Sequence, residues 1–309
     1  QGITTLTDIA YGEHGDFNKL DIVRPAGPVV PGRPVLLHIH GGAWMIGQKS
    51  REALPLLRHL AQRGWVVATI NYRLSPAAKW PAHIVDVKRA LAWVKAHIAE
   101  HGGDPGFIAI SGGSAGGHLT SLLALTPNDP AFQPGFEGVD TQVQAAVPFY
   151  GKYDFIDRDG LVKGSHGFTE FLADKVMPCS PPDDPALWDD ASPAQRVHAG
   201  APPFFVLQGT YDTLIFVQEA RAFVSKLRAV SKAPVRIDDF IDDVAGQISR
   251  ADVVLQRAGA SSLAELCVIG RASVLVPFPF AADQHQLANA RSLESAGAAV
   301  AMEQREATA

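Results

Sequence analysis

Ile108-Ala109-Ile110-Ser111-Gly112-Gly113-Ser114-Ala115-Gly116-Gly117 passes from an apolar run, through a cluster of small residues, into a helical pattern. Residues 106–110 read as a strand and the residues from Ala115 onward as a helix. Between them stands Gly-x-Ser-x-Gly. A sharp strand-to-helix turn of this kind has no room for side chains beside the serine, which accounts for the glycines, and it lifts the Ser114 hydroxyl above the sheet. It also aims the free N–H groups of a helix N-terminus at negative charge developing next to that hydroxyl. Ser114 is therefore the candidate nucleophile, and the N–H of Ala115 a candidate oxyanion donor.

Upstream, Pro34-Val35-Leu36-Leu37-His38-Ile39-His40 is a buried-strand run that opens into Gly41-Gly42-Ala43-Trp44. Small residues there let backbone N–H groups face a cavity, as an oxyanion loop requires. His40 is placed to brace that loop. Further strands are expected at 3–10, 17–24, 65–70, 143–149 and 204–207. Helices are expected at 51–62, at 215–229 and at 83–98, where Ile84, Val87, Ala90, Leu91, Val94 and Ile98 recur at helical spacing. Strands alternating with helices imply a mostly parallel sheet flanked by helices on both faces. Residues 151–192 break that rhythm with polar sequence and Pro178, Pro181, Pro182 and Pro185. They read as an insertion suited to cap a site.

His40-Gly41-Gly42-Ala43-Trp44, Asn71-Tyr72-Arg73-Leu74-Ser75-Pro76, Trp80-Pro81-Ala82 and Gly112-Gly113-Ser114-Ala115-Gly116-Gly117 follow one another in order. Together they resemble the α/β-hydrolase esterases and lipases of the hormone-sensitive-lipase-like group, over roughly residues 1–235. The resemblance implies the α/β-hydrolase fold and serine carboxylesterase chemistry on small acyl esters, with no cofactor. It also implies an oxyanion hole built from the N–H groups of Gly42, Ala43 and Ala115, with Gly41 shaping the loop.

A serine nucleophile needs a base, usually a histidine oriented by a carboxylate, and in this fold the chain order is Ser, then acid, then His. Asp212, at the end of Phe205-Val206-Leu207-Gln208-Gly209-Thr210-Tyr211-Asp212, resembles the triad acid. One helix and one strand later, roughly 30 residues on, the base is due near residue 242. Ile237-Asp238-Asp239-Phe240-Ile241-Asp242-Asp243 stands there instead, and the one histidine after Asp212 is His285. If the apolar run 272–276 takes the place of the last strand, His285 falls in the loop after it, which makes it the candidate base. His118 lies four residues beyond Ser114 on the same helix and points away from the turn, so it reads as structural. His166 and His198 fall in the insertion and at its exit, near the entrance to the site.

The C-terminal residues carry a second resemblance. Phe240-Ile241-Asp242-Asp243, Ala251-Asp252-Val253-Val254, Arg257-Ala258-Gly259-Ala260-Ser261-Ser262-Leu263-Ala264-Glu265, Val276-Pro277, Asp283-Gln284-His285-Gln286 and Asn289-Ala290 are similar to the C-terminal domain of the peptidoglycan N-acetylglucosaminyltransferase, which uses a UDP-linked sugar. The resemblance implies that Glu265 holds a ribose, that Gln286 faces the sugar, and that Gly259 with the helix after it accommodates a diphosphate. It covers only about the last 70 residues, without an acceptor domain, so an ordinary β-α unit is the preferred functional reading of this piece.

Composition agrees with two parts. The chain has 309 residues, 27 Lys+Arg against 32 Asp+Glu, 47% hydrophobic and 19% charged residues. That apolar content excludes global disorder, and the mild acidity argues against nucleic acid or a polybasic membrane contact. No apolar run reaches a membrane-spanning length and no signal-peptide pattern opens the sequence. Cys179 and Cys267 make neither a disulfide framework nor a zinc site, so a reduced, cytoplasmic setting without metal is expected. Residues 237–309 hold ten acids and five arginines, leaving 22 of each sign in 1–236. The expected organisation is a hydrolase core over 1–236, with its cap at about 151–192, and an atypical β-α segment over 237–309. The expected function is esterase chemistry, impaired if no histidine serves Ser114. The rival classes are a crippled hydrolase fold that binds acyl ligands and a UDP-sugar transferase fragment.

Overall fold

The computed structural model describes residues 2–158, 160–161, 166–209, 212–236, 254–256, 273–275 and 285–302. It divides into two compact units, 1–237 and 238–309.

The first unit is built on eight strands: β1 (Ile3–Ala10), β2 (Lys19–Pro25), β3 (Arg33–Ile39), β4 (Val66–Ile70), β5 (Gly103–Gly113), β6 (Ala145–Phe149), β7 (Phe204–Phe205) and β8 (Val235–Arg236). Their order across the sheet is β1-β2-β4-β3-β5-β6-β7-β8. The β1–β2 and β2–β4 pairs are antiparallel, and every pair from β4 to β8 is parallel. Buried on both faces, the central strands need near-continuous apolar sequence, and Val66–Ile70 is buried at all five positions. The helices are α1 (Leu54–Gln62), α2 (Ala82–His97), α3 (Ala115–Leu125), α4 (His166–Phe171), α5 (Pro185–Asp190) and α6 (Val217–Val230). Helix α3 follows the central strand β5 and is buried along its whole length.

Residues 151–192 do not stand apart from this core. Tyr153, Phe155, Leu172, Val176, Met177 and Trp188 are fully buried in the same apolar cluster as the sheet residues. Their attachment is also polar: Trp80 N–H donates to Val176 O, and Glu219 of α6 accepts from the N–H groups of Tyr153 and Asp154 and from Lys152 Nζ. Strand β7 ends at Phe205, earlier than the apolar run suggested, with Pro202-Pro203 immediately before it.

In the second unit, β9 (Val254–Gln256), β10 (Ser273–Leu275) and β11 (Ala299–Ala301) form a parallel sheet ordered β11-β10-β9, and α7 spans His285–Ser295. This corrects one expectation. The run 272–276 does not replace the last strand of the main sheet, because both edges of β10 are taken by β9 and β11.

Candidate active site

Ser114 sits at the junction of β5 and α3 with φ 52° and ψ −115°, a conformation that costs an L-residue energy and persists only where the surroundings enforce it. The enforcement is visible. Ser114 N–H donates to Phe149 O at the end of β6, and the neighbouring glycines leave no space for a side chain. A Cβ on Gly112 would lie 2.5 Å from Ile39 O, one on Gly116 2.1 Å from the same oxygen, and one on Gly117 2.7 Å from Phe149 O. The helix therefore starts tight against β3 and β6, with Ser114 partly exposed above them.

The loop after β3 lies beside this turn. Gly42, Ala43 and Trp44 all have positive φ, 106°, 52° and 60°. That run of left-handed residues turns successive peptides inward. Among the described residues no acceptor pairs with the N–H groups of Gly42, Ala43 or Ala115. The N–H of Gly41 is occupied, donating to Glu52 Oε2. Gly41 thus belongs to the frame of the loop, while the other three N–H groups are free to meet an oxyanion.

The motifs between the loop and α2 brace it. His40 stacks on Tyr72 with 4.4 Å between ring centroids and donates through Nδ1 to Gly41 O, while Tyr72 Oη donates to His40 O. Ser75 N–H donates to Trp44 O, and Ser75 Oγ meets His83 Nε2 at 3.0 Å. Arg73 makes a forked contact with the buried carboxylate of Asp86, at 2.8 and 2.7 Å.

The histidines sort by their partners. His118 accepts from Trp44 Nε1 at Nδ1 and donates from Nε2 to Ala191 O, so both ring nitrogens are engaged and neither serves as a base. Burial holds it neutral, at about 3, and does the same to His38 at about 3 and His40 at about 4. His198 accepts Gly200 N–H at Nδ1. His166 and His285 head α4 and α7 respectively. Asp212 is held by the N–H groups of Leu214 and Ile215, both on Oδ1 at 2.9 Å, while among the described residues Oδ2 takes the Gln208 amide at 3.2 Å. A carboxylate oxygen has room for a second donor, such as an imidazole N–H. Glu265 and Gly259 lie outside the described residues.

One residue of this site escaped the sequence reading. Glu52, ten residues after Gly42, is largely buried between the oxyanion loop and the turn, and burial pushes its carboxyl up to about 7. No local signal marks it, because it stands in the polar run Gln48-Lys49-Ser50-Arg51-Glu52.

A family model for BD-FAE matches residues 20–227, two thirds of the chain. The chain belongs to the BD-FAE family. It is 57% identical over 230 residues to the "Probable carboxylic ester hydrolase LipM" of Mycobacterium tuberculosis (strain ATCC 25618 / H37Rv), covering 74% of this chain and 53% of that protein. The chain spans about half the length of the curated relatives it matches first, at 53, 54 and 56%. A solved structure of the thermophilic esterase Est2 from the Planctomycetes species Thermogutta terrifontis, with butyrate bound, superposes with a TM-score of 0.60 at 26% identity, over 74% of this chain and 82% of that one. The first unit of this BD-FAE member therefore has the α/β-hydrolase fold. Residues 208–309 match a second model, the glycosyltransferase family 28 C-terminal domain. Over 88 residues the chain is 58% identical to the UDP-N-acetylglucosamine--N-acetylmuramyl-(pentapeptide) pyrophosphoryl-undecaprenol N-acetylglucosamine transferase of Sorangium cellulosum (strain So ce56), covering 28% of this chain and 21% of that enzyme. Two distinct families thus meet in one sequence. No helix among the described residues is long and apolar enough to cross a membrane.

Proposed function

We propose that the chain is a serine carboxylic ester hydrolase of short acyl esters. The observation that carries this reading is the strained Ser114 at the N-terminus of α3, with the N–H groups of Gly42, Ala43 and Ala115 finding no acceptor among the described residues. Ser114 Oγ attacks the ester carbonyl while a base takes its proton, and the N–H groups of Gly42, Ala43 and Ala115 receive the negative oxygen of the tetrahedral intermediate. The same proton passes to the departing alcohol, and water then releases the acid from the acyl-enzyme. Asp212 is the orienting acid. His285, the one histidine after Asp212 in the sequence, remains the candidate base on chain order alone, and the substitution below tests it. The butyrate bound to the Thermogutta esterase supports a short acyl group.

The test is labelling by a fluorophosphonate probe together with p-nitrophenyl butyrate hydrolysis. Wild type should be labelled and Ser114→Ala should not. His285→Ala should slow hydrolysis by several orders of magnitude, since loss of a triad member typically leaves only the contribution of the oxyanion hole and binding. Unchanged hydrolysis in His285→Ala removes that residue from the assignment. Absence of labelling in wild type favours a hydrolase fold that binds acyl ligands without turning them over.

A further inference from the structure

Glu52 joins the two halves of the proposed site. Its Oε2 accepts the N–H of Gly41, and the same carboxylate lies against the backbone of Gly113. Gly41 opens the oxyanion loop, one residue before Gly42 and two before Ala43. Gly113 closes β5, one residue before Ser114 and two before Ala115. One side chain therefore spans the loop that supplies two oxyanion donors and the turn that supplies the nucleophile and the third.

The fit is close. A Cβ on Gly113 would meet Glu52 Oε1 at 2.7 Å and Tyr150 Oη at 2.8 Å, and a Cβ on Gly41 would meet Gly113 O at 2.7 Å. Glycine at both positions lets the carboxylate reach between two backbones. The groups facing it are His38 of β3, whose Nε2 lies 4.0 Å from Oε1, and the phenols of Tyr72 and Tyr150, with Asp212 beyond Tyr150. Burial keeps His38 neutral, so the basic group within reach of the carboxylate carries no charge to offset it.

We propose that Glu52 is a positioning residue that ties the oxyanion loop to the nucleophile turn, fixing the N–H groups of Gly42, Ala43 and Ala115 in relation to Ser114. Ionised, the carboxylate is acceptor-only toward the Gly41 N–H and the adjoining Gly113 backbone; protonated, one oxygen carries a hydrogen and the contact weakens. With its titration raised to about 7, the tie is complete above neutrality and loosens as pH falls through that value. A competing effect has the opposite sign: an ionised carboxylate near an oxyanion disfavours the developing charge. The tie outweighs it here because Glu52 contacts Gly41 and Gly113 rather than the three donors themselves.

The role in turnover rests on the serine hydrolase reading above, while the tie itself does not, so two measurements separate them. The first follows the amide resonances of Gly41 and Gly113 in the full chain from pH 5 to 9. Both should shift with a common midpoint near 7 in wild type and stay flat in Glu52→Gln. The second compares kcat and KM for p-nitrophenyl butyrate. Glu52→Ala should lose roughly 10- to 100-fold in kcat with KM changed less than about twofold, because the donors act mainly in the transition state. Glu52→Gln, which keeps one acceptor oxygen, should recover part of that loss. A wild type without turnover overturns the esterase reading and leaves the resonances to decide the tie. Flat resonances in wild type, or a kcat that holds or rises in Glu52→Ala, overturn this inference. The wild-type titration requires no variant to fold.

Discussion

Gly116→Ala is the substitution whose outcome the geometry fixes most tightly. A Cβ at this position would lie 2.1 Å from Ile39 O and 2.7 Å from His40 O. Both obstacles are backbone. Ile39 ends β3 and is paired with Ile70 on one side and Gly112 on the other, so it cannot give way without opening the centre of the sheet. The helix must move instead, and reaching 3.4 Å, where ordinary contact begins, from 2.1 Å requires about 1.3 Å. Ala115 moves with it, carrying its N–H away from the oxyanion. A misplacement on the order of 1 Å in an active site costs roughly 100-fold in rate. Forcing a methyl into a packed interior costs about 1–3 kcal/mol, which lowers Tm by roughly 2–12 °C in a unit of this size. The expected result is a kcat for p-nitrophenyl butyrate about 100-fold below wild type, near-normal KM, and slowed fluorophosphonate labelling. Gly138→Ala is the control, since a Cβ there has nothing within 4 Å and should leave every readout unchanged. Gly116→Ala within twofold of wild-type kcat, with Tm lowered by less than about 2 °C, would refute the reasoning.

Two further outcomes concern stability. Burial lowers His38, His83 and His118 to about 3 and His40 to about 4, so between those values and 6.5 the unfolded chain binds protons that the fold refuses. Their contribution is complete above pH 6.5 and is lost as pH falls, at up to about 1.4 kcal/mol per pH unit for each histidine. Glu52 and Glu219, raised by burial, oppose this but are outnumbered. All five tryptophans precede residue 237, so tryptophan fluorescence melts report the first unit, and its Tm should fall steadily from pH 7 to 4.5. A flat Tm over that range would contradict the burial argument. Separately, Lys152 and Glu219 form an ion pair at 2.6 Å with both side chains 7% exposed. Removing one partner strands the other charge, so Lys152→Met should cost about 3–5 kcal/mol in urea unfolding at pH 7.5, and less at pH 5, where Glu219 sheds its charge more readily.

The parts of this molecule legible in the sequence are those fixed by local sterics. Gly112, Gly116 and Gly117 each face a carbonyl oxygen of another strand, so the turn around Ser114 admits little else, and the motif carries its own geometry. The buried strands and the long helix α2 declared themselves by apolar spacing. Long-range polar pairings were hidden. Glu52 has no local reason to be special; its meaning comes from Gly41 and Gly113, which the sheet brings to it. Likewise His118 acquires its role from Trp44 and Ala191, 74 and 73 residues away. Residues 151–192 read only as an insertion suited to cap a site, because prolines and charges mask the side chains, Trp188 and Phe155 among them, that bury fully.

The region claimed by both families bears directly on the chemistry. The BD-FAE match ends at 227 and the glycosyltransferase match begins at 208, so residues 208–227 fall under both. Packing separates the claims. Helix α6 buries Ala220, Phe223, Val224 and Leu227 in the main cluster, Phe223 stacks on Tyr153 at 4.3 Å, and Glu219 holds Lys152 and the backbone of the 151–192 segment. Whatever sequence pattern it satisfies, α6 is physically part of the hydrolase unit, and so is β8, which pairs with β7. Among the described residues the hydrolase architecture therefore runs to the end of β8, the strand after which the chain order of this fold places a histidine. The proposed nucleophile, oxyanion donors and acid all lie before that point. A base is the part a neighbouring segment can supply with least rebuilding, because it needs only one imidazole within hydrogen-bond reach of Ser114 and the open lone pair of Asp212 Oδ2. Under the proposed esterase reading, the His285→Ala comparison is therefore the test of whether the base comes from the sequence after residue 237.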